Sequence, residues 1–262
     1  MRSSISSISP IHAILTEEFM TDKVVVTNVA AQKQKYGGSG YSQVLRALRM
    51  LVAADEARGM KTIVVDISDP SEMRRYRGTA VSNHRSEVQN KNAIDRICEA
   101  LEPDYLLLMD GPDVIPHILL NNPIPKDRDR NVPSDLPYAS DAAFAKGGVE
   151  NRDVATYSAV TRVVGRIPGA TEVRDPASLI SQMKSAAAFK SRRREDYLSH
   201  FAISSYLWRS STERSIDSIF RTESIKTSPP TGSPKVRRLL APLSHFINCD
   251  GGKELSQFFG RR

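Results

Sequence analysis

Asp22-Lys23-Val24-Val25-Val26-Thr27-Asn28 and Lys61-Thr62-Ile63-Val64-Val65-Asp66-Ile67 are two β-branched runs of strand length, and the segment between them carries apolar residues at helical spacing. Val44, Leu45, Leu48, Leu51 and Val52 fall on one face of that segment, which closes at Arg58-Gly59. Runs that are apolar without alternation belong to strands covered on both faces. A strand, a helix and a strand in this order call for a right-handed crossover and parallel pairing. The helix is expected over 41–58, with Lys35-Tyr36-Gly37-Gly38-Ser39-Gly40-Tyr41 as the loop leading into it. That glycine-rich loop matches neither GxGxxG nor GxxxxGK[ST] and stands about ten residues beyond the strand, too far for a dinucleotide turn, so it is not read as a phosphate cradle.

The pattern repeats downstream. Asp104-Tyr105-Leu106-Leu107-Leu108-Met109-Asp110-Gly111-Pro112-Asp113 is a third strand and its exit, and Val160-Thr161-Arg162-Val163-Val164 opens a fourth. Asp175-Pro176-Ala177 starts a helix with proline at its first turn. Strands are thus expected near 23–28, 61–67, 104–109, 160–164, 198–204 and 239–249, with helices at 41–58 and 176–189, a doubly wound, mainly parallel sheet. Residues 121–149 are rich in Pro, Asp and Asn and read as loop. Residues 1–20 read as an N-terminal extension without the features of a signal peptide, and 21–262 as a single α/β domain.

Composition bounds the function. Of 262 residues, 40% are hydrophobic and 26% charged, which indicates a globular chain, and no apolar run reaches the roughly 20 residues a membrane-spanning helix needs. Cys98 and Cys249 are too few for a disulfide framework and, with the scattered His12, His84, His117, His200 and His245, show no metal-ligand spacing. No cofactor or metal is expected, and a cytoplasmic location is the default. The net charge of +7 is concentrated in Arg74-Arg75 with Arg77, Arg192-Arg193-Arg194, Arg237-Arg238 and Arg261-Arg262. Without an accompanying nucleic-acid-binding motif these clusters are read as solvated faces, with nucleic-acid binding through them kept as the lesser alternative.

Four segments carry a further signal in fixed order: Asp104 to His117 (DYLLLMDGPDVIPH), Ser134 to Asp141 (SDLPYASD), Thr161 to Gly169 (TRVVGRIPG) and His245 to Gly252 (HFINCDGG). Together they resemble the gingipain-like cysteine peptidases. The resemblance implies a caspase-hemoglobinase fold, a three-layer sandwich with peptide bound across the carboxyl ends of the strands. In that family the last segment bears the catalytic histidine, at the position of Asp250 here, and the nucleophilic cysteine follows on the next strand, which this chain does not reach. The expected fold is therefore C-terminally incomplete, with an exposed sheet edge that favours self-association or a missing C-terminal part.

A thiol peptidase needs a thiolate and an imidazole able to protonate the leaving amine. An ionised carboxylate at Asp250 offers no proton and repels a thiolate. His245 and Cys249 do not substitute as a dyad, because on one strand they stand roughly 13 Å apart. Two readings follow from the resemblance: a cysteine endopeptidase lineage that is inactive as it stands, and a pseudo-peptidase that binds peptide or protein without cleaving it. For the second, Asp110, Asp113, Asp135 and Asp141, with Asp250 and the turn Gly251-Gly252, are expected to line the cleft and to attract a basic segment.

Overall fold

The computed structural model describes residues 21–193, 195, 201–204, 209–220, 226–228 and 245–248. The chain divides into two compact units, 1–189 and 190–262. The first holds strands β1 (Lys23–Thr27), β2 (Thr62–Asp66), β3 (Tyr105–Met109), the antiparallel pair β4 (Ile118–Asn121) and β5 (Asn131–Ser134), the short pair β6 (Ala145–Lys146) and β7 (Val149–Glu150), and β8 (Val163–Ile167). Its helices are α1 (Val29–Ala57), α2 (Pro70–Arg75), α3 (Glu87–Leu101) and α4 (Ala177–Ala187). The second unit contains β9 (Phe201–Ser204), α5 (Arg209–Phe220), β10 (Lys226–Ser228) and β11 (His245–Asn248), whose strands form a parallel sheet in the order β10-β11-β9.

The main sheet of the first unit is parallel throughout, in the order β2-β1-β3-β8. Helices flank it, and the strand side chains divide between two cores. Val24, Val26, Leu106 and Leu108 pack with Ala93, Ile94 and Ile97 of α3. Val25 and Met109 pack with Val44, Leu48 and Leu51 of α1 and with Leu179 and Met183 of α4. This is why the strand runs show no alternation: both faces are dry. Each fully buried aliphatic side chain contributes roughly 1.5–3 kcal/mol, so the two layers of helix are what hold the sheet. Among the described residues no helix is long and apolar enough to cross a membrane.

Three departures from the expected elements bear on the site. α1 begins at Val29 rather than at residue 41, because Asn28 caps it directly at the end of β1, its Oδ1 accepting from the Ala31 N–H at 2.9 Å. The exit of β2 meets two more of its first N–H groups: Val29 donates to Asp66 Oδ1 and Ala30 to Ser68 Oγ. Gly37, at φ 69°, takes the kink inside the helix that the glycine-rich segment suggested was a loop. β8 covers 163–167 instead of 160–164, since Gly165 and Ile167 pair with Leu107 and Met109, while the Thr161 and Arg162 N–H groups turn to the Ala139 carbonyl. The Pro/Asp/Asn-rich stretch expected to be loop folds into the β4–β5 and β6–β7 hairpins.

A buried lysine, ion-paired within α3, ties that helix to the segment before β8. Lys91 is fully buried, bonded to the Asp95 carboxylate and, at 3.0 Å, to the Ser140 carbonyl. Burial pushes Asp95 up to about 6 against the pull of the Lys91 ammonium. Removing one partner of a buried pair strands the other charge, whereas replacing both with apolar groups is close to neutral. Asp95→Ala is therefore expected to destabilise the first unit by roughly 3–5 kcal/mol in urea denaturation, and Lys91→Met with Asp95→Leu by much less. Equal losses in the single and double variants would contradict the pairing.

Candidate functional site

β1 leads to β2 on one side and the chain then returns to β3 on the other, so the connections diverge between the carboxyl ends of β1 and β3. In open α/β sheets this divergence opens a crevice, the usual place for a ligand. Here the chain fills it. Asp110 follows β3 at φ 85°, a left-handed backbone that aspartate tolerates better than most residues, and its carboxylate is fully buried. Oδ1 accepts from Lys35 Nζ at 2.8 Å, from the Tyr36 hydroxyl at 3.0 Å and from the Gly111 N–H at 2.7 Å. Oδ2 accepts from Gln32 Nε2 at 3.3 Å, and Gln32 Oε1 in turn accepts from Thr27 Oγ1. Burial, then the Asp110 charge, holds the Tyr36 phenol far above its usual range, which keeps it a donor.

Gln32, Lys35 and Tyr36 stand at i, i+3 and i+4 on the first turns of α1, which brings all three onto one face. Lys35 also bonds Asp113 Oδ1 at 2.9 Å, and Asp113 Oδ2 accepts from the Glu172 N–H. Gly169 closes the network: a Cβ there would lie 1.9 Å from Asp110 Oδ1 and 3.0 Å from the Tyr36 oxygen. The Asp110 carboxylate, held by four donors, has no room to yield.

A second network lies beside the first. Arg166, on β8 with a side chain 8% exposed, donates through Nε to Asp135 Oδ2 at 2.8 Å and through Nη2 to Asp135 Oδ1 at 2.6 Å. Its Nη1 donates to the carbonyls of Asp110 and Ile115, both at 2.9 Å, and so holds the exit loop of β3 in place. His117 Nδ1 lies 2.9 Å from Asp135 Oδ1. Burial alone would raise the Asp135 carboxyl, but the Arg166 bonds and charge, helped by His117, hold it below the usual carboxylate range.

His117 faces a depression of about 660 Å³ whose wall includes Arg85, Glu87, Pro112, Pro116 and Leu119. Arg152 fixes this wall by bonding Glu87 and Glu150, each at 2.6 Å, and the Leu119 carbonyl, while Glu87 Oε1 takes the Leu119 N–H at 2.7 Å. The outer edge of β4 is therefore met by side chains at this point rather than left open.

The residues expected in a cleft thus fall into separate places. Asp110 and Asp113 share Lys35, and Asp135 joins them through Arg166. Asp141, 62% exposed, pairs instead with Arg162. Asp250, Gly251 and Gly252 lie outside the described residues. Lys35, Tyr36, Gln32 and Arg166 were not singled out in the sequence, although the 3-and-4 spacing of the first three after an Asn cap was a usable signal. Among the described residues no group of three or more His, Cys, Asp or Glu converges as metal ligands. Cys98 is buried in the core and its thiol is pushed up to about 11, chiefly by burial, which removes it as a nucleophile at neutral pH. Compared with protein-family models, curated proteins and solved structures, the chain shows no significant match to any of them.

Two outcomes follow from this geometry. Lys35→Met leaves the Asp110 carboxylate buried without its cation and is expected to cost roughly 3–5 kcal/mol, with Gly169→Ala costing about 1–3 kcal/mol, both read by urea denaturation. Asp135 has a depressed folded pKa, so its contribution to stability is complete above the unfolded carboxyl value of about 4 and is lost as pH falls through the lower folded value. Asp135→Asn should accordingly flatten the acid limb of the stability profile; an unchanged acid limb would show that the Arg166 clamp does not act on folding.

Proposed function

We propose that this chain is a peptide-binding module on a caspase-like α/β frame, of the gingipain-like cysteine-peptidase lineage, that holds its ligand without cleaving it. The observation that carries the reading is the depression beside the exit of β3, at the carboxyl side of a parallel sheet, walled by Pro112, Pro116 and Leu119 and edged by polar groups. An apolar floor with a few fixed polar groups suits an extended peptide. The crevice between β1 and β3, where a nucleotide would otherwise sit, is taken up by the Lys35–Asp110 network. The order of the four gingipain-like segments supports the lineage. Asp250 at the family's histidine position supports the absence of cleavage, because an ionised carboxylate cannot protonate a leaving amine.

The ligand favoured by this reading is neutral rather than basic. Asp110 and Asp113 share Lys35, Asp135 pairs with Arg166 and Asp141 with Arg162, and Glu87 and Glu150 share Arg152, so internal cations answer most of this negative charge and Arg85 on the same wall adds a further positive one. Carboxylates paired in this way offer little field to an incoming cation.

Calorimetry with a library of N-acetylated, C-amidated hexapeptides, neutral, basic or acidic at the central positions, tests this. Saturable binding of neutral members is expected, with no fluorogenic turnover. Turnover blocked by a thiol-reactive probe would make the chain an active peptidase, and absence of binding across the library would overturn the peptide reading.

A further inference from the structure

The geometry points to His117 as the contact between the groove and its ligand: we propose that His117 Nε2 accepts a backbone N–H from a bound extended peptide, with Asp135 and Arg166 as positioning residues. This rests on the peptide-binding reading above and adds the atom that does the recognising.

Asp135 is ionised and acceptor-only, so the proton between it and His117 belongs to Nδ1. In the neutral imidazole the other nitrogen then carries a lone pair and no hydrogen. The carboxylate that holds Nδ1 is itself fixed, since Asp135 has both oxygens bonded by Arg166 and the same guanidinium grips the carbonyl of Ile115, two residues before His117. The Nδ1 edge is committed to Asp135, while the side chain is 31% exposed and the residue lines the depression. A carboxylate that fixes the tautomer of a histidine on a concave surface presents a single, oriented acceptor.

The surroundings make that acceptor useful. Pro112, Pro116 and Pro133 line the groove and have no N–H of their own, so the ring is not answered by a neighbouring backbone donor from them. The charged groups on the same wall are Arg85, Glu87 and Glu150, the two carboxylates bonded by Arg152, and His84 lies close enough to Asp113 for the two to influence each other's charge. A neutral peptide strand, with N–H groups for His117 and side chains against the prolines and Leu119, fits this chemistry.

The test uses the full chain and the tightest-binding hexapeptide from the library. Nitrogen-15 NMR of the imidazoles should show His117 protonated at Nδ1 in the free protein, with its Nε2 resonance shifting on peptide addition. His117→Phe, at a partly exposed position, leaves Asp135 its Arg166 partner, so it should lower the thermal midpoint only slightly and weaken binding roughly tenfold or more. Asp135→Asn, which can donate to Nδ1, should move the imidazole proton to Nε2 and weaken binding in the same way. Peptide bound equally by wild type and His117→Phe, with no Nε2 shift, overturns the proposal and leaves the groove as a peptide site. No peptide bound by the wild type overturns the groove reading itself, while the His117 tautomer still reports whether Asp135 positions the ring.

Discussion

A carboxylate with no solvent around it must find a cation and enough donors, or the fold that buries it is unstable. Asp110 imposes that constraint on the first unit. Its backbone turns through a left-handed conformation after β3 and aims the side chain inward, where Gln32, Lys35 and Tyr36 of α1 and the Gly111 N–H receive it. Much else follows. α1 has to start directly at the end of β1 for residues 32, 35 and 36 to reach the strand exits. Residue 169 has to be glycine for β8's exit to pass the carboxylate, and Arg166 has to hold the Asp110 and Ile115 carbonyls for the β3 exit loop to keep its path.

The same arrangement moves ligand binding sideways. An open parallel sheet offers its crevice where the connections diverge, and here that crevice is closed by internal charge pairs. Beside it, a concave surface is built by the β3 exit, the start of α3 and the β4–β5 hairpin. Its polar groups are organised by two arginines from outside it: Arg166 through Asp135 to His117, and Arg152 through Glu87 and Glu150. Arginine suits both posts because its planar fork satisfies several acceptors at fixed angles.

How much of this was legible in the sequence depended on whether a signal was local. Val24 to Val26, Ile63 to Val65 and Leu106 to Leu108 announced strands buried on both faces, and the structure pairs them in parallel. Gly37 to Gly40 read as a break and cost the first turns of α1, because a single positive φ inside a helix looks the same in sequence as a loop. The hairpins within 118–150 were hidden by proline and aspartate, which these edge positions tolerate. Asp110 and Asp113 were recognised as strand-exit acids and Asp135 as an acid of the following loop, but their direction was not: whether such a carboxylate faces solvent or the interior is settled by cationic partners 31 to 78 residues away. Asp250 and its glycines lie outside the described residues, so the peptidase-like reading of that position rests on its sequence setting alone.

The separation between Lys35 and Asp110, 75 residues, also governs the order of assembly. A contact of that span closes only after the intervening strand, helices and β3 have been laid down, and loop closure must be met before the contact returns anything. Until then Asp110 stays hydrated, since burying it without Lys35 is prohibitive. Docking α1 against the β3 exit is therefore expected late in folding, with α1, β1, β3 and β8 opening together in hydrogen exchange rather than fraying in turn.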